Sequence, residues 1–171
     1  MRITTDFFKQ DVLDVAPALL GMYIVRQFDD GSIKKFKITE TEAYRNEEDL
    51  ACHCSKGRTK RTEIMYHEGG KVYVYLIYGM YWMLNFVCYN QDVPQAVLIR
   101  AVENYDGPGK VGKALQIDKS FYGEDVYTSN RIWIEKNESN SNTKIITKSR
   151  VGIDYAGKIW KNKKWRFVLL G

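Results

Sequence analysis

The sequence predicts an α+β fold: a single mixed domain built on an antiparallel β-sheet with short helices around it. Three observations predict it. Between residues 23 and 102 the chain reads as short runs rich in β-branched and aromatic side chains separated by short turns, the pattern of strands in a meander. Helix-like patterning is short and scattered, clearest over residues 11–20 and 110–117. No linker or internal repeat divides the 171 residues, a length that supports one core and falls short of two, and 44% of them are apolar.

Residues 11–20 read as a helix with Gly21 as its C′ glycine, shortened or kinked by Pro17. Tyr23 to Phe28 is a strand, Asp29-Asp30-Gly31 a turn, and Ile33 to Tyr44 the return strand. Alternation places Phe36, Ile38, Glu40, Glu42 and Tyr44 on one face of that strand, so the face begins apolar and ends in carboxylates and a tyrosine. Asn46-Glu-Glu-Asp49 opens a short helical or irregular segment that ends near His53, and a basic loop follows over 55–66. Lys71–Tyr78, Tyr81–Cys88 and Gln95–Val102 form the meander, with Tyr78-Gly79-Met80 at its first tip. Gly107-Pro-Gly109 breaks the chain before the second helical stretch. Ile132–Ile134 and Lys144–Thr147 read as a second hairpin around the polar tip Lys136–Lys144, and Trp165–Leu169 as a terminal strand.

A net charge of +5 is mild, and points to a polyanion only if the charge is clustered. Four of the six residues from Lys56 to Arg61 and five of the nine from Lys158 to Arg166 are cationic, two clusters that could share one face. The cysteines, Cys52, Cys54 and Cys88, are odd in number and uneven in spacing, which argues against a disulfide framework and for a reducing compartment. Extended backbone at Cys52-His53-Cys54 would set His53 opposite both thiols, and no CxxC pair completes a zinc site. No apolar signal core or membrane-length run is present, so a soluble cytoplasmic protein is expected.

The residues that could carry chemistry gather around the acid-bearing strand. Glu42 and Tyr44 sit ~7 Å apart on one face, a carboxylate beside an aromatic plane; the plain alternative is a solvated edge strand. Arg100 lies in an apolar strand and needs a carboxylate partner, with Glu42 or Glu40 available. That pair reads equally as a structural salt bridge or as part of a site. Tyr78 beside Gly79 at a hairpin tip is placed for exposure rather than for a core.

These blocks resemble the alkyladenine (3-methyladenine) DNA glycosylases over nearly the full length. The resemblance rests on Glu40-Thr-Glu-Ala-Tyr44, the Glu-Asp-x-Ala-x-His run ending at His53, Arg58-Thr59, Met65 and Tyr73-Val-Tyr-Leu-Ile-Tyr-Gly-Met-Tyr81. It continues through Asn85, Val97-Leu-Ile-Arg-Ala101, Gly107-Pro-Gly-Lys110, Lys119-Ser-Phe121 and Arg150-Val-Gly-Ile153. It implies a curved sheet with a protruding hairpin. It also implies a monofunctional glycosylase that acts as a monomer on double-stranded DNA carrying a damaged purine, without metal or cofactor, in the cytoplasm and against the nucleoid of a bacterial-type cell. Glu42 would activate the water and Arg100 help hold it. Tyr44, His53 and Tyr75 would stack the extruded base, Asn85 would face its exocyclic group, and Tyr78 would fill the gap in the duplex. Arg58, Thr59, Met65, Met80 and Tyr81 match positions that contact DNA around the wedge. Lys60 and Ile159-Trp-Lys161 depart from the family's usual residues, which bears on lesion selectivity.

The chemistry agrees with that reading. A base inside a duplex must be rotated out, and the gap left behind refilled. Two other classes compete with it. A non-catalytic nucleic-acid-binding module of the same fold would release no 3-methyladenine in a single turnover. A small-molecule transferase or nucleoside hydrolase would show no salt-dependent affinity for duplex DNA.

Overall fold

The structure, a computed structural model, describes residues 1–139 and 142–171. Helix α1 (Val12–Ala18) opens on Asp11, whose side chain accepts from the Leu13 N–H. Pro17 keeps α1 short, and the carbonyl of Ala16 near its end accepts the buried hydroxyl of Thr41. Two antiparallel strands follow, β1 (Tyr23–Gln27) and β2 (Ile33–Arg45). The meander consists of β3 (Val72–Ile77), β4 (Tyr81–Val87) and β5 (Gln95–Val102), and the two-residue β6 (Tyr105–Asp106) folds back on β5. Helix α2 (Pro108–Ala114) starts on a proline and lies on β4; a Cβ at Gly112 would stand 2.0 Å from the Trp82 carbonyl oxygen, so only glycine permits that approach. The chain ends with β7 (Ile132–Glu135), β8 (Lys144–Lys148), helix α3 (Gly157–Lys161) and β9 (Arg166–Leu170).

Among the described residues the strands form one nine-stranded sheet in the order β3-β4-β5-β2-β1-β7, with β6 on β5 and β8 on β9. β2 is its centre. Residues 33–37 pair with β1, residues 38–45 pair with β5, and residues 40–42 also pair with β9. The main core lies on one face and includes Phe8, Val15, Leu19, Ile24, Ile38, Val72, Leu84, Phe86, Val97 and Ile99. A smaller cluster, with Cys52, Cys54, Met65, Tyr66 and Tyr73, lies beneath the aromatic residues of the other face.

Three expectations are corrected. First, the residues of β7 and β8 do not form a hairpin. β7 pairs with β1, placing Ile134 opposite Ile24, whereas β8 pairs with β9. Both arms had strand character, but a local pattern does not name a strand's partner. The polar tip between them falls partly outside the described residues. Second, β2 does not keep one face. The ladder with β5 shifts between Ile38 and Glu40 and again between Glu40 and Thr41. Phe36 and Ile38 therefore share the core with Ala43, while Glu42 and Tyr44 line a cavity. The irregularity turns the acids away from the core that the alternation had given them. Third, Cys52 and Cys54 are joined by a disulfide, and Cys88 is a free, buried thiol. The chain at this point turns into a 3₁₀ segment, His53–Lys56, so it is not extended; the two Cα atoms lie 5.1 Å apart, within bridging range.

Candidate active site

A cavity of about 350 Å³ opens on the face of the sheet opposite the main core, a size within the range of small-molecule sites. β2 supplies Glu42 and Tyr44, β3 supplies Tyr73 and Tyr75, β4 supplies Met83 and Asn85, and β5 supplies Leu98 and Arg100. The alternation of β3 and β4 explains this division, because Val72, Val74, Leu84 and Phe86 point into the core instead. Loops close the cavity with His53, Arg61 and Met65 on one side and residues 151–155 on the other.

Glu42 is fully buried. Its Oε2 accepts the Val151 N–H at 2.7 Å, and its Oε1 accepts from Arg100 Nη1 at 3.3 Å and the Tyr44 hydroxyl at 3.2 Å. Burial pushes its carboxyl above the ordinary value, and the Arg100 charge and the Val151 N–H only partly offset this. A carboxylate so placed is a stronger base than an exposed one. Arg100 also reaches toward Glu40, with Nε 3.8 Å from Oε1, and that Nε is buried without a hydrogen-bond partner in the structure. Both acids foreseen as partners for Arg100 thus flank it.

The cavity walls are aromatic. His53 and Tyr75 meet edge-on with centroids 4.5 Å apart, and His53 Nδ1 lies 2.8 Å from the Tyr73 hydroxyl. Burial, reinforced by the Arg61 charge, lowers His53 to about 4, so it is neutral near pH 7. Burial also raises Tyr44, Tyr73 and Tyr75, which keep their protons. Behind Tyr44 the Arg150 guanidinium lies 5.0 Å from its ring centroid and 5.0 Å from that of Trp165. Arg150 is held by a bidentate pair with Asp49 at 2.6 and 2.9 Å, both side chains fully buried. Asn85 is buried, and its amide donates to the Tyr73 carbonyl at 3.2 Å.

At the mouth, Tyr78 is 88% exposed and Met80 65%. Tyr78 and Gly79 both have positive φ, and the Met80 N–H donates to the Ile77 carbonyl, the pattern of a type I′ hairpin turn. Tyr78 holds this backbone form without glycine's freedom, so its side chain is presented at some conformational cost.

Of the residues singled out in the sequence, Glu42, Tyr44, His53, Met65, Tyr75, Tyr78, Asn85 and Arg100 line this one cavity. Met80 stands beside Tyr78 at the tip, and Tyr81 packs under Gly109 of α2. Thr59 is occupied locally, its hydroxyl 3.0 Å from that of Thr62. Arg58 lies elsewhere: it pairs with Asp92 at 2.6 Å and Glu63 at 3.7 Å, and stacks over Tyr66. Sequence reasoning gave no role to Arg61, Tyr155, Asp49 or the Val151 N–H. Arg61 was visible only as part of a basic run. Arg150-Val-Gly-Ile153 stood out as a block, but a backbone donor leaves no mark in side-chain chemistry.

A buried carboxylate beside a cavity with aromatic walls is an arrangement that can accommodate a flat ring. Comparison with known proteins gives the chain a family. The family model described as Methylpurine-DNA glycosylase (MPG) matches residues 6–106 and 103–171. A Legionella pneumophila (strain Corby) protein named "Putative 3-methyladenine DNA glycosylase" is 42% identical over 176 residues, covering 98% of this chain and 94% of its own. Proteins of the same name from Natranaerobius thermophilus and Borreliella afzelii are 38% identical over 191 residues and 41% over 177, covering 99% and 96% of this chain and 96% and 94% of theirs. The chain belongs to the methylpurine-DNA glycosylase family.

Proposed function

We propose that this protein is a monofunctional DNA glycosylase that rotates an alkylated purine, 3-methyladenine or 7-methylguanine, out of duplex DNA and hydrolyses its bond to C1′. The observation that carries the proposal is the Glu42 carboxylate, buried in an aromatic cavity and held from two sides by Val151 and Arg100. In the proposed step the oxygen of a water attacks C1′, and Glu42 takes its proton. The C1′–N bond breaks with its electron pair passing to the base. The sugar becomes oxocarbenium-like on the way, and the Glu42 charge opposes that positive charge as well as accepting the proton. An abasic site remains.

Tyr44 on one side and His53 with Tyr75 on the other form the slot for the extruded ring, each stacked contact worth ~1–3 kcal/mol. Tyr78 enters the space the base has left. His53 at about 4 is a poor acid near neutrality, and the cavity tyrosines hold their protons tightly. A cationic base departs neutral and needs no acid, whereas hypoxanthine and ethenoadenine do. The proposal therefore includes a preference for cationic lesions over neutral ones.

The test is single-turnover excision from oligonucleotide duplexes, each with one lesion of either type, by the wild type and Glu42→Gln. Loss of general-base catalysis costs ~10²–10⁴-fold, so the variant is expected to lose at least a hundredfold in excision while still binding lesion duplex. Full base release by Glu42→Gln would overturn the mechanism, and equal rates on neutral and cationic lesions would overturn the preference.

A further inference from the structure

Glu42 sits in a closed circuit of contacts that extends beyond the cavity. Arg100 Nη1 donates to Glu42, and Arg100 Nε faces Glu40 at 3.8 Å. Glu40 Oε1 accepts from Arg166 Nη1 at 2.7 Å, and Arg166 Nε donates to the Ser149 carbonyl at 2.7 Å. Ser149 is two residues before Val151, whose N–H returns to Glu42 Oε2 at 2.7 Å. The circuit follows from strand pairing: on β9, Arg166 is the ladder partner of Glu42, and its side chain crosses diagonally to Glu40. Glu40 and Arg166 line a separate cavity of about 550 Å³ and do not line the base slot.

We infer that Glu40 and Arg166 are positioning residues for the reaction: Glu40 draws part of the Arg100 charge away from Glu42, and Arg166 limits that draw while fixing the backbone that holds the other carboxylate oxygen. The inference rests on the proposed role of Glu42. The arrangement fits it well, because Arg100 lies between two acids and meets only Glu42 at hydrogen-bond distance. The other charged or titratable groups that face Glu42 or line the same cavity are Tyr44, His53, Arg61, Tyr73, Tyr75 and Tyr155, with Arg150 behind Tyr44, and none of them is altered in the test.

The two residues act with opposite sign. Without the Glu40 charge, Arg100 belongs to Glu42 alone, the ionised carboxylate is favoured, and the acid limb of the pH–rate profile moves to lower pH. Without the Arg166 charge, Glu40 is freed to pull on Arg100, and the limb moves to higher pH. A general loosening of the fold would lower rates at every pH without producing this pair of shifts.

The experiment is the pH profile of single-turnover 7-methylguanine release from duplex DNA by wild type, Glu40→Gln, Arg166→Gln and Arg166→Lys. A cationic lesion is used so that no leaving-group acid titrates. Glu40→Gln is expected to move the acid limb down, and Arg166→Gln to move it up, each by roughly one pH unit. Arg166→Lys, which keeps the charge and gives up the second hold on Ser149, should leave the limb near its wild-type position while lowering the rate. Either Gln variant alone decides the matter if the other fails to fold, since an unmoved limb or a shift of the wrong sign overturns the inference. Glu42→Gln measured alongside separates the two readings. If it is active the hydrolytic mechanism falls; if it is inactive while the limbs stay fixed, only the positioning role falls.

Discussion

Asp49→Asn replaces an oxygen by an isosteric NH₂ and removes one charge from a fully buried ion pair. Asp49 accepts four hydrogen bonds: two from Arg150, one from the Arg45 N–H at 3.0 Å and one from the Ala51 N–H at 3.1 Å. Asparagine keeps one acceptor oxygen and turns its amide against donors, leaving the Arg150 charge buried and uncompensated. Breaking a buried pair from one side costs ~3–5 kcal/mol. For a chain of this length each kcal/mol lowers Tm by ~2–4 °C, so a drop of roughly 6–20 °C is expected, with a matching fall in the urea midpoint and an unchanged m-value. Adding Arg150→Met should recover only part of the loss, because Arg150 also donates to the carbonyls of Ala43 at 3.0 Å and Trp160 at 3.2 Å. A loss below about 1 kcal/mol in the single variant would refute the reasoning, since that is the scale of an exposed pair. The site should suffer too, because Arg150 backs Tyr44 and precedes the Val151 N–H.

Three further outcomes are expected. Tyr78→Ser should weaken binding to lesion duplex by ten- to a hundredfold, in line with ~1–3 kcal/mol for one aromatic contact, and lower excision at limiting enzyme without moving the acid limb; an unchanged rate in that regime would contradict the wedge. His53 titrates near 4 in the fold against ~6.5 in the unfolded chain. Its contribution to stability is therefore complete above pH 6.5 and is lost as pH falls from 6.5 through 4, because the unfolded chain takes up a proton that the fold refuses. Arg61→Gln removes a charge that helps to lower His53, so the ring titration followed by NMR should move upward and the acid loss of stability should shrink; a His53 titration that stays put would remove Arg61 from the account.

Much of the site was legible because its parts have local signatures. Tyr78 next to Gly79 announced a hairpin tip, and Arg100 in an apolar strand demanded a carboxylate, which the structure supplies twice. The motif blocks led to the family, which the comparisons bear out. What was not legible depends on distant partners. The β2 irregularity that turns Glu42 and Tyr44 away from the core arises from the fit to β5, and nothing in residues 36–44 records it. The partners of β7 and β8 are chosen by strands more than a hundred residues and some twenty residues away, respectively. The Cys52–Cys54 link needed the turn that folds 52–56 back on itself. The pairing of Arg58 with Asp92 depends on a loop 34 residues further along the chain.

The β3–β4 hairpin sets a length scale. Tyr75, in the cavity wall, is two residues from Ile77, the last ladder residue of β3 and ~7 Å away at the strand rise, and Tyr78 follows as the first residue of the tight turn. Under the proposed function that spacing is a caliper between the slot for the extruded base and the wedge that replaces it. Inserting one residue between them would either slip the arm by a step, sending Tyr73 and Tyr75 to the side of Val72 and Val74, or lengthen the tip past its tight turn. The number of residues between the cavity wall and the tip is thus as much a part of the site as the side chains themselves.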